Sequence, residues 1–156
     1  MKKITTREKL YLLDESLIRL ARMSFVPLAR LALFVIFFWF GLIKVIGGSP
    51  AEGLAEAMTA KTIGADYFGA MFMATGILEC LIGVLFLIPR LTRVAIPLLF
   101  FHMFVVAGPI VLVPEMTWQS FMVPTLEGQY IVKNFALVAL AIGVAAYLKP
   151  LKPKKR

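Results

Sequence analysis

Four long apolar stretches dominate this sequence, and each is close to the length that a helix needs to cross a bilayer. They cover residues 27–46, 68–89, 94–113 and 130–148. A helix requires about 20 residues to cross the hydrocarbon core. Because lipid offers no hydrogen-bonding partners to the backbone, stretches of this kind predict transmembrane helices.

The composition excludes a water-soluble domain of this size. Of the 156 residues, 60% are hydrophobic and only 17% are charged. A soluble domain is roughly half apolar and about a quarter charged, and about a third of its unfolded surface stays in contact with water. The sequence therefore predicts an all-α, integral membrane four-helix bundle, with residues 27–148 as its membrane part.

Several classes of chemistry find no support in the sequence. Cys80 is the single cysteine, so the chain can form neither an intramolecular disulfide nor a CxxC redox pair. No catalytic serine triad, phosphate loop or dinucleotide fingerprint is present. One histidine cannot supply two haem ligands in a monomer, and no metal-ligand spacing is recognised, so we predict no metal site.

The basic residues are distributed unevenly along the chain. Of the 17, seven lie at or before Arg30, two lie between the second and third stretches, and five lie at or after Lys149. The other side of the membrane would carry only Lys44, Lys61 and Lys133. The positive-inside rule then predicts cytoplasmic termini and a multi-pass protein of the cell (inner) membrane. The net charge of +8 indicates attraction to anionic lipid, and nucleic acid is not a predicted partner.

Residues 1–26 are predicted to form a cytoplasmic, interfacial amphipathic helix. Thr5 and Glu8 have the spacing of a capping box, and leucines recur at three- and four-residue steps between residues 10 and 20. A basic amphipathic helix of this type lies on the membrane surface, and docking onto a partner protein is the alternative. Residues 149–156 are predicted to form a basic cytoplasmic tail.

The two outer loops are also predicted to be ordered. Ser49, Pro50 and Glu52 have the pattern of a second capping box, which predicts a short helix over the outer mouth of the bundle. The later loop, residues 114–129, contains two prolines with Trp118 and Phe121, which favours a re-entrant or interfacial segment.

Glu79 and His102 are the glutamate and histidine that fall inside predicted spans. From the helical rise, Glu79 lies roughly 15 Å and His102 roughly 12 Å above the inner boundary. A contact between them would avoid a lone charge in hydrocarbon. One interpretation is a polar packing pair that fixes the helix register. The other is a catalytic site, facing protons or quinone, in which the two groups exchange a proton.

A second polar cluster is predicted just below the outer surface. Lys44 ends the first span, Lys133 and Asn134 begin the fourth, and Glu127 precedes them. We expect these residues to bind a substrate, with tryptophans beside them and Glu127 compensating Lys133, whose charge is unfavourable at a helix start. Ordinary snorkelling beneath an aromatic belt is the alternative. The predicted substrate-binding residues are Lys44, Trp39, Trp118, Glu127, Lys133 and Asn134.

Four segments resemble the DoxX-like family of membrane proteins. The segment 124–134, PTLEGQYIVKN, is similar to the entry into the last helix of that family, and residues 76–83 resemble its G-x-x-E-x-x-x-G pattern. The first span, from Arg30 to Lys44, is similar to the opening helix, and Val113–Trp118 resembles the YkgB branch. The likeness covers about residues 25–148.

The resemblance implies a four-helix protein of a bacterial or archaeal plasma membrane. Its relatives have been linked to thiosulfate:quinone oxidoreduction, to oxidative or chlorine stress, and in animals to receptor assembly, so the family alone does not fix an activity. The hypothesis that follows is an accessory membrane subunit of a redox or sulfur-metabolism system, with quinone as cofactor and a redox partner protein. A non-enzymatic assembly factor is the main alternative, a small-solute carrier the weaker one, and a homo-oligomer is compatible with each.

Overall fold

The structure, a computed structural model, describes residues 5–150. Residues 1–4 and the part of the predicted basic tail from 151 onward lie outside the described residues. The elements follow in order: α1 (Thr6–Val45), α2 (Glu52–Thr62), a 3-10 turn (Ala65–Tyr67), α3 (Phe68–Leu87), a 3-10 turn (Pro89–Leu91), α4 (Thr92–Ala107), α5 (Pro109–Leu112), α6 (Pro114–Thr117), β1 (Trp118–Ser120), β2 (Val123–Pro124) and α7 (Leu126–Ala146).

Four helical segments among residues 5–150 are long and apolar enough to cross a membrane, which confirms the predicted all-α fold and its four candidate spans. They are Thr6–Val45, Ala65–Leu87, Pro89–Leu112 and Leu126–Ala146. Between 17% and 28% of the residues in each spanning window are buried inside the protein, so most side chains on these helices face outward. Since those side chains are apolar, a multi-pass membrane protein in contact with a lipid bilayer is the architecture they fit.

The first helix is continuous where the sequence suggested a break near residue 26. α1 runs for 40 residues and contains Pro27. Proline lacks the N–H that would bond to the carbonyl four residues earlier, but its fixed φ is compatible with the helix, which continues on both sides. The capping box is confirmed: Glu8 N–H donates to Thr5 Oγ1 at 3.3 Å, and Thr5 N–H donates to Glu8 Oε2 at 2.7 Å. Side chains 5–23 are all exposed.

The packed half of α1 presents one stripe to the bundle. Ala29, Leu33, Phe37 and Gly41 recur every four residues and are all buried. Steps of four residues keep side chains on one helical face, so this stripe packs against the other helices. The core that it joins also contains Ile82, Leu85, Phe86, Ala95, Leu99, Met103, Ala141 and Val144.

Glycines allow α1 and α3 to approach closely. A Cβ on Gly41 would lie 2.5 Å from the Gly76 carbonyl oxygen and 2.7 Å from the Cys80 nitrogen. A Cβ on Gly76 would lie 2.9 Å from the Gly41 carbonyl oxygen. Small residues at helix crossings in lipid permit such backbone contact. This crossing sets the level at which the end of α1 meets the middle of α3.

The two segments predicted to be outer loops are ordered, but the predicted cap of the short helix is wrong. α2 begins at Glu52, and its N-cap, Ala51, makes no side-chain hydrogen bond. Ser49 instead accepts a hydrogen bond from Ala51 N–H in the preceding turn. α2 packs against α3 and α5, and Met58 lies against Gly108. The later loop folds into single-turn helices and a two-stranded antiparallel hairpin with Trp118 opposite Pro124.

Candidate functional site: a buried ionisable triad

Three ionisable side chains from three helices meet inside the bundle. Glu79 Oε2 lies 2.5 Å from Lys44 Nζ, and Glu79 Oε1 lies 3.0 Å from His102 Nε2. Glu79 is on α3, Lys44 is in the last turn of α1, and His102 is on α4. We call Lys44, Glu79 and His102 the triad. The structure thus brings together the two residues that the sequence paired by depth and adds a third.

Lys44 reaches Glu79 because α1 ends at the level of the middle of α3. The Gly41–Gly76 crossing places the last turn of α1 directly beside the turn that carries Glu79. α1 ends at Val45, and the chain leaves it through Gly47, whose φ of 74° lies in the left-handed region that favours glycine. α3, by contrast, continues outward from Gly76 to Phe68, about 12 Å by the helical rise.

The side chains of the triad are buried inside the protein. The exposed side-chain fractions are 3% for His102, 7% for Glu79 and 12% for Lys44. The Phe37 ring meets the His102 imidazole edge to face, with ring centroids 5.9 Å apart. Isolated charges at such a position would be costly, and pairing offsets part of that cost. A lysine ammonium, a glutamate carboxylate and a neutral imidazole sum to zero charge.

The contact between His102 and Glu79 places a proton donor and a proton acceptor side by side. With Glu79 ionised, the arrangement suits an imidazole that carries its proton on Nε2, which lies 3.0 Å from Glu79 Oε1. With Glu79 protonated, the same 3.0 Å contact can run in the opposite direction, from carboxylic acid to imidazole. The carboxyl group can therefore exchange a proton with the imidazole without any movement of the helices.

Cys80 adjoins the triad in sequence but takes a different role. Its Sγ lies 3.6 Å from the Phe38 carbonyl oxygen and fills the space beside Gly41. It therefore packs in the crossing of α1 and α3. In the part of the chain that the structure describes, no group of three or more metal-ligating His, Cys, Asp or Glu side chains is found.

The predicted outer cluster does not assemble. Lys44 binds Glu79, and Lys133 places its ammonium 5.3 Å from the Tyr130 ring centroid. Among residues 5–150, Lys133 and Glu127 form no ion pair, and both are exposed. The physical reason is helical phase: six residues separate them on α7, which puts them on different faces, whereas Tyr130 is three residues from Lys133.

The two tryptophans also lie apart from a common site. Trp39 is 65% exposed on the outward face of α1, as expected for a residue in contact with lipid. Trp118 is partly buried, and its indole N–H donates to the Ile110 carbonyl oxygen at 3.1 Å. Trp118 therefore ties the hairpin to α5 and has a structural place.

Asn134 lines a groove of about 240 Å³ on the outward surface between α4 and α7. It is half-buried, and its side chain makes no hydrogen bond to another residue within 5–150. Met103, the residue after His102, also lines the groove. The complete lining comprises Phe100, Met103, Phe104, Ala107, Ile110, Ile131, Asn134, Phe135 and Val138. The groove is thus apolar with one amide.

Sequence reasoning missed the Lys44–Glu79 pair and a second polar contact at the opposite end of α3. Arg30 donates from Nη1 to the Phe86 carbonyl oxygen at 2.8 Å and to Thr92 Oγ1 at 2.7 Å. Thr92 is fully buried. The available signal was the helical spacing itself, because residues 30, 33, 37, 41 and 44 follow one face of α1.

Comparison with known proteins gave no match: no family model, no curated protein and no solved structure matches this chain. The resemblance to DoxX-like proteins therefore stays a prediction from four segments of sequence.

Proposed function

We propose that this chain is an accessory membrane subunit of a quinone-linked redox system and that the triad handles its protons. The observation that carries the proposal is the triad itself. Three ionisable groups in close contact inside an apolar bundle are costly to maintain for packing alone. Ionisable residues at membrane depth commonly mark proton relays and ligand pathways.

His102 supplies the place where an extra proton is held. In the neutral triad, Nδ1 of His102 can accept a proton while Nε2–H remains bound to Glu79. The imidazolium that results lies against the carboxylate of Glu79, whose second oxygen is held by Lys44. The loaded triad has two cations for one carboxylate and a net charge of +1, and its apolar surroundings favour release of that proton.

The groove beside Asn134 is the proposed position of the quinone ring. Its apolar lining suits a lipid-soluble ligand, and an amide N–H can donate to a quinone carbonyl. Met103 connects the groove to the turn of α4 that carries His102. The groove faces outward, so a ligand could enter from the bilayer.

The electrons belong to a partner protein in this proposal. A quinone becomes a quinol by taking up two electrons and two protons. Cys80 alone cannot undergo disulfide exchange within the chain, so a partner subunit delivers the electrons while the triad passes protons one at a time. Membership of the DoxX-like family would fit such a subunit.

The membrane placement is part of the same proposal. We place both termini in the cytoplasm of a cell with this protein in its inner membrane, because four spans return the chain to its starting side and the basic residues concentrate there. The exposed first part of α1 would then lie on the cytoplasmic side, and a bend of the helix at Pro27 would bring it onto the inner leaflet as an interfacial helix.

The test is photolabelling with an azido-quinone in lipid nanodiscs, followed by peptide mapping. We expect label on peptides from α4 and α7, competed by unlabelled quinone and strongly reduced in Asn134→Leu. Phe135→Leu, the neighbouring apolar change in the same groove, is the matched control and should retain label. The quinone site would be contradicted if wild type took up no label, or if Asn134→Leu took up as much competable label as wild type.

Proton handling is tested separately on the Glu79→Gln variant. Gln keeps a carbonyl oxygen for His102 but cannot take up the proton. We expect Glu79→Gln to bind the azido-quinone like wild type while a strain carrying it loses tolerance to oxidative stress. Unchanged tolerance together with normal expression would remove the triad from the redox function.

A second candidate function, a non-enzymatic assembly factor, is favoured by the exposed part of α1. Leu10, Leu13, Leu17 and Leu20 are each at least 60% exposed on a helix that continues beyond the bundle. Such a helix could bind the apolar groove of a partner. A co-purifying membrane protein that is lost on deletion of residues 1–24, but retained in His102→Ala, would favour this function over the redox one.

A further inference from the structure

The geometry points to a binding site for the phosphate headgroup of an anionic phospholipid at the end of the bundle where α3 passes into α4. Its residues are Arg30, Arg90, Arg93 and Lys149, which we call the basic rim. This inference does not depend on the proposed redox function.

Arg30 has hydrogen-bond donors to spare. A guanidinium carries five N–H donors, and both bonds that Arg30 makes to Phe86 and Thr92 start from Nη1. The donors on Nε and Nη2 bond to nothing else within residues 5–150. Thr92 Oγ1 in turn donates to the Pro89 carbonyl oxygen at 3.0 Å, so the side of Arg30 facing the protein is fixed. Its remaining Nε–H and Nη2–H donors form a fork that can bind two oxygens of a phosphate.

Arg30 also has no counter-ion in the described part of the chain. No carboxylate lies within 4.0 Å of it, although Lys44 and Lys61 each have one. The segments that meet around it contain no Asp or Glu between residues 84 and 98 or between 128 and 150. A partly buried charge without an internal partner is satisfied by an external anion.

Three more cations stand at the same end of the bundle. Thr92, the partner of Arg30, is next to Arg93, and Arg93 donates to the carbonyl oxygen of Lys149 at the end of α7. Arg90 lies in the 3-10 turn just before Thr92. Arg90, Arg93 and Lys149 are exposed, so their charges are free to face the same ligand.

The surroundings indicate a lipid rather than a soluble phosphate. The basic rim coincides with the ends of the apolar helices, since α3 ends at Leu87 and α4 begins at Thr92. Ile88 and Val94 expose 41% and 51% of their surface beside these cations. Cations next to exposed apolar side chains at a span boundary match a phosphate joined to acyl chains.

The experiment is native mass spectrometry of the full chain, titrated with phosphatidylglycerol, with phosphatidylcholine as the lipid that lacks net charge. We expect wild type to prefer phosphatidylglycerol and each of Arg90→Gln and Arg93→Gln to weaken that preference by about fivefold, since one interfacial cation contributes about 1 kcal/mol. Lys61→Gln, which removes an exposed cation that pairs with Glu115 at the other end of the bundle, is the matched control and should bind like wild type.

Two substitutions of Arg30 separate the contribution of its charge from that of its guanidinium geometry. Arg30→Lys keeps the charge but loses the fork, so binding should fall while the melting temperature in detergent changes little; Arg30→Gln should lose the preference entirely. Because Arg90 and Arg93 are exposed, their variants keep the test valid even if Arg30→Gln fails to fold.

A second arm separates the two sources of phosphate. Phosphatidylglycerol should remain bound in the presence of millimolar inorganic phosphate. Equal displacement by inorganic phosphate, or equal binding of the two lipids, would overturn the assignment. So would a loss of affinity in Lys61→Gln as large as that in Arg93→Gln.

Discussion

Two lysine–glutamate pairs in this chain have the same separation and opposite surroundings. Lys44 Nζ lies 2.5 Å from Glu79 Oε2, and Lys61 Nζ lies 2.5 Å from Glu115 Oε1. The side chains of the first pair are 12% and 7% exposed, whereas those of the second are 47% and 56% exposed. The two pairs therefore differ in burial and not in distance.

The difference in burial determines what each pair can do. Water and salt screen the exposed pair, which joins α2 to the start of α6 and can break with little consequence. The buried pair cannot exchange its partners for water, so removal of one member leaves the other as an uncompensated charge. His102 adds a third ionisable group to the buried pair, and the exposed pair has no such third member among residues 5–150.

The largest effect is expected for Glu79→Leu. This change strands the Lys44 ammonium and the His102 N–H inside the bundle, so the free energy of unfolding should fall by about 3–5 kcal/mol. The measurement is reversible unfolding in mixed micelles. Glu127→Leu, which removes an exposed carboxylate on α7, is the matched control and should be near neutral. A Glu79→Leu variant as stable as the Glu127→Leu variant would show that the triad is not buried.

A smaller loss is expected for Gly41→Ala, which tests how Lys44 reaches Glu79. The new Cβ would meet backbone atoms of Gly76 and Cys80, so α1 and α3 must separate at a cost of about 1–3 kcal/mol. Gly69→Ala, also a helix glycine, has open space at its Cβ and should be neutral or slightly stabilising. Equal stability of the two variants would place the crossing elsewhere.

Removing both charges should restore most of what either single change loses. Lys44→Met alone leaves Glu79 buried without its cation, and Glu79→Gln alone leaves Lys44 without its anion. The double variant has no net charge to compensate and keeps a carbonyl for His102, so its stability should return to within about 1 kcal/mol of wild type. Strictly additive losses in this double-mutant cycle would mean that the two side chains do not interact.

The smallest effect belongs to the exposed pair and should depend on pH and salt. The hydrogen bond from Lys61 holds the pKa of Glu115 below its ordinary value. A depressed carboxyl pKa stabilises the folded state above the unfolded pKa of about 4.5, and this contribution disappears as the pH falls through the lower folded value. Trp118 fluorescence in a Trp39→Phe background should report the transition at low salt.

The control for that titration is Glu115→Gln, which should abolish the transition. Lys61→Met should leave the melting temperature at neutral pH unchanged. A transition that persists in Glu115→Gln, or one that moves upward in pH, would assign it to another group.

Much of the bundle could be predicted from the sequence because lipid imposes simple rules on it. Helix length and apolar content indicated the four spans, and the Thr5–Glu8 spacing indicated the start of α1. The contact of Glu79 with His102 followed from depth, since two buried polar groups at one level on adjacent helices satisfy each other.

The remainder depended on the relative positions of the helices, which hydropathy does not contain. Depth counted along a single span placed Lys44 at the outer surface, whereas the Gly41–Gly76 crossing brings it to Glu79. The prediction of the outer cluster left out helical phase, which puts Lys133 and Glu127 on different faces of α7. The continuity of α1 through Pro27 could not be deduced either. A proline in a sequence can mark the first turn of a new helix, a break or a kink, and the pattern around Pro27 does not show which.

The most direct test is ¹⁵N magnetic resonance of the full chain in bilayers with labelled histidine, because His102 is the single histidine. With a histidine-free affinity tag, every signal reports on the triad. At neutral pH we expect a neutral imidazole protonated on Nε2. The ¹⁵N chemical shift of Nε2 should change in Glu79→Gln and stay the same in Glu127→Gln. An imidazole protonated on Nδ1, or a spectrum that does not respond to Glu79→Gln, would contradict it.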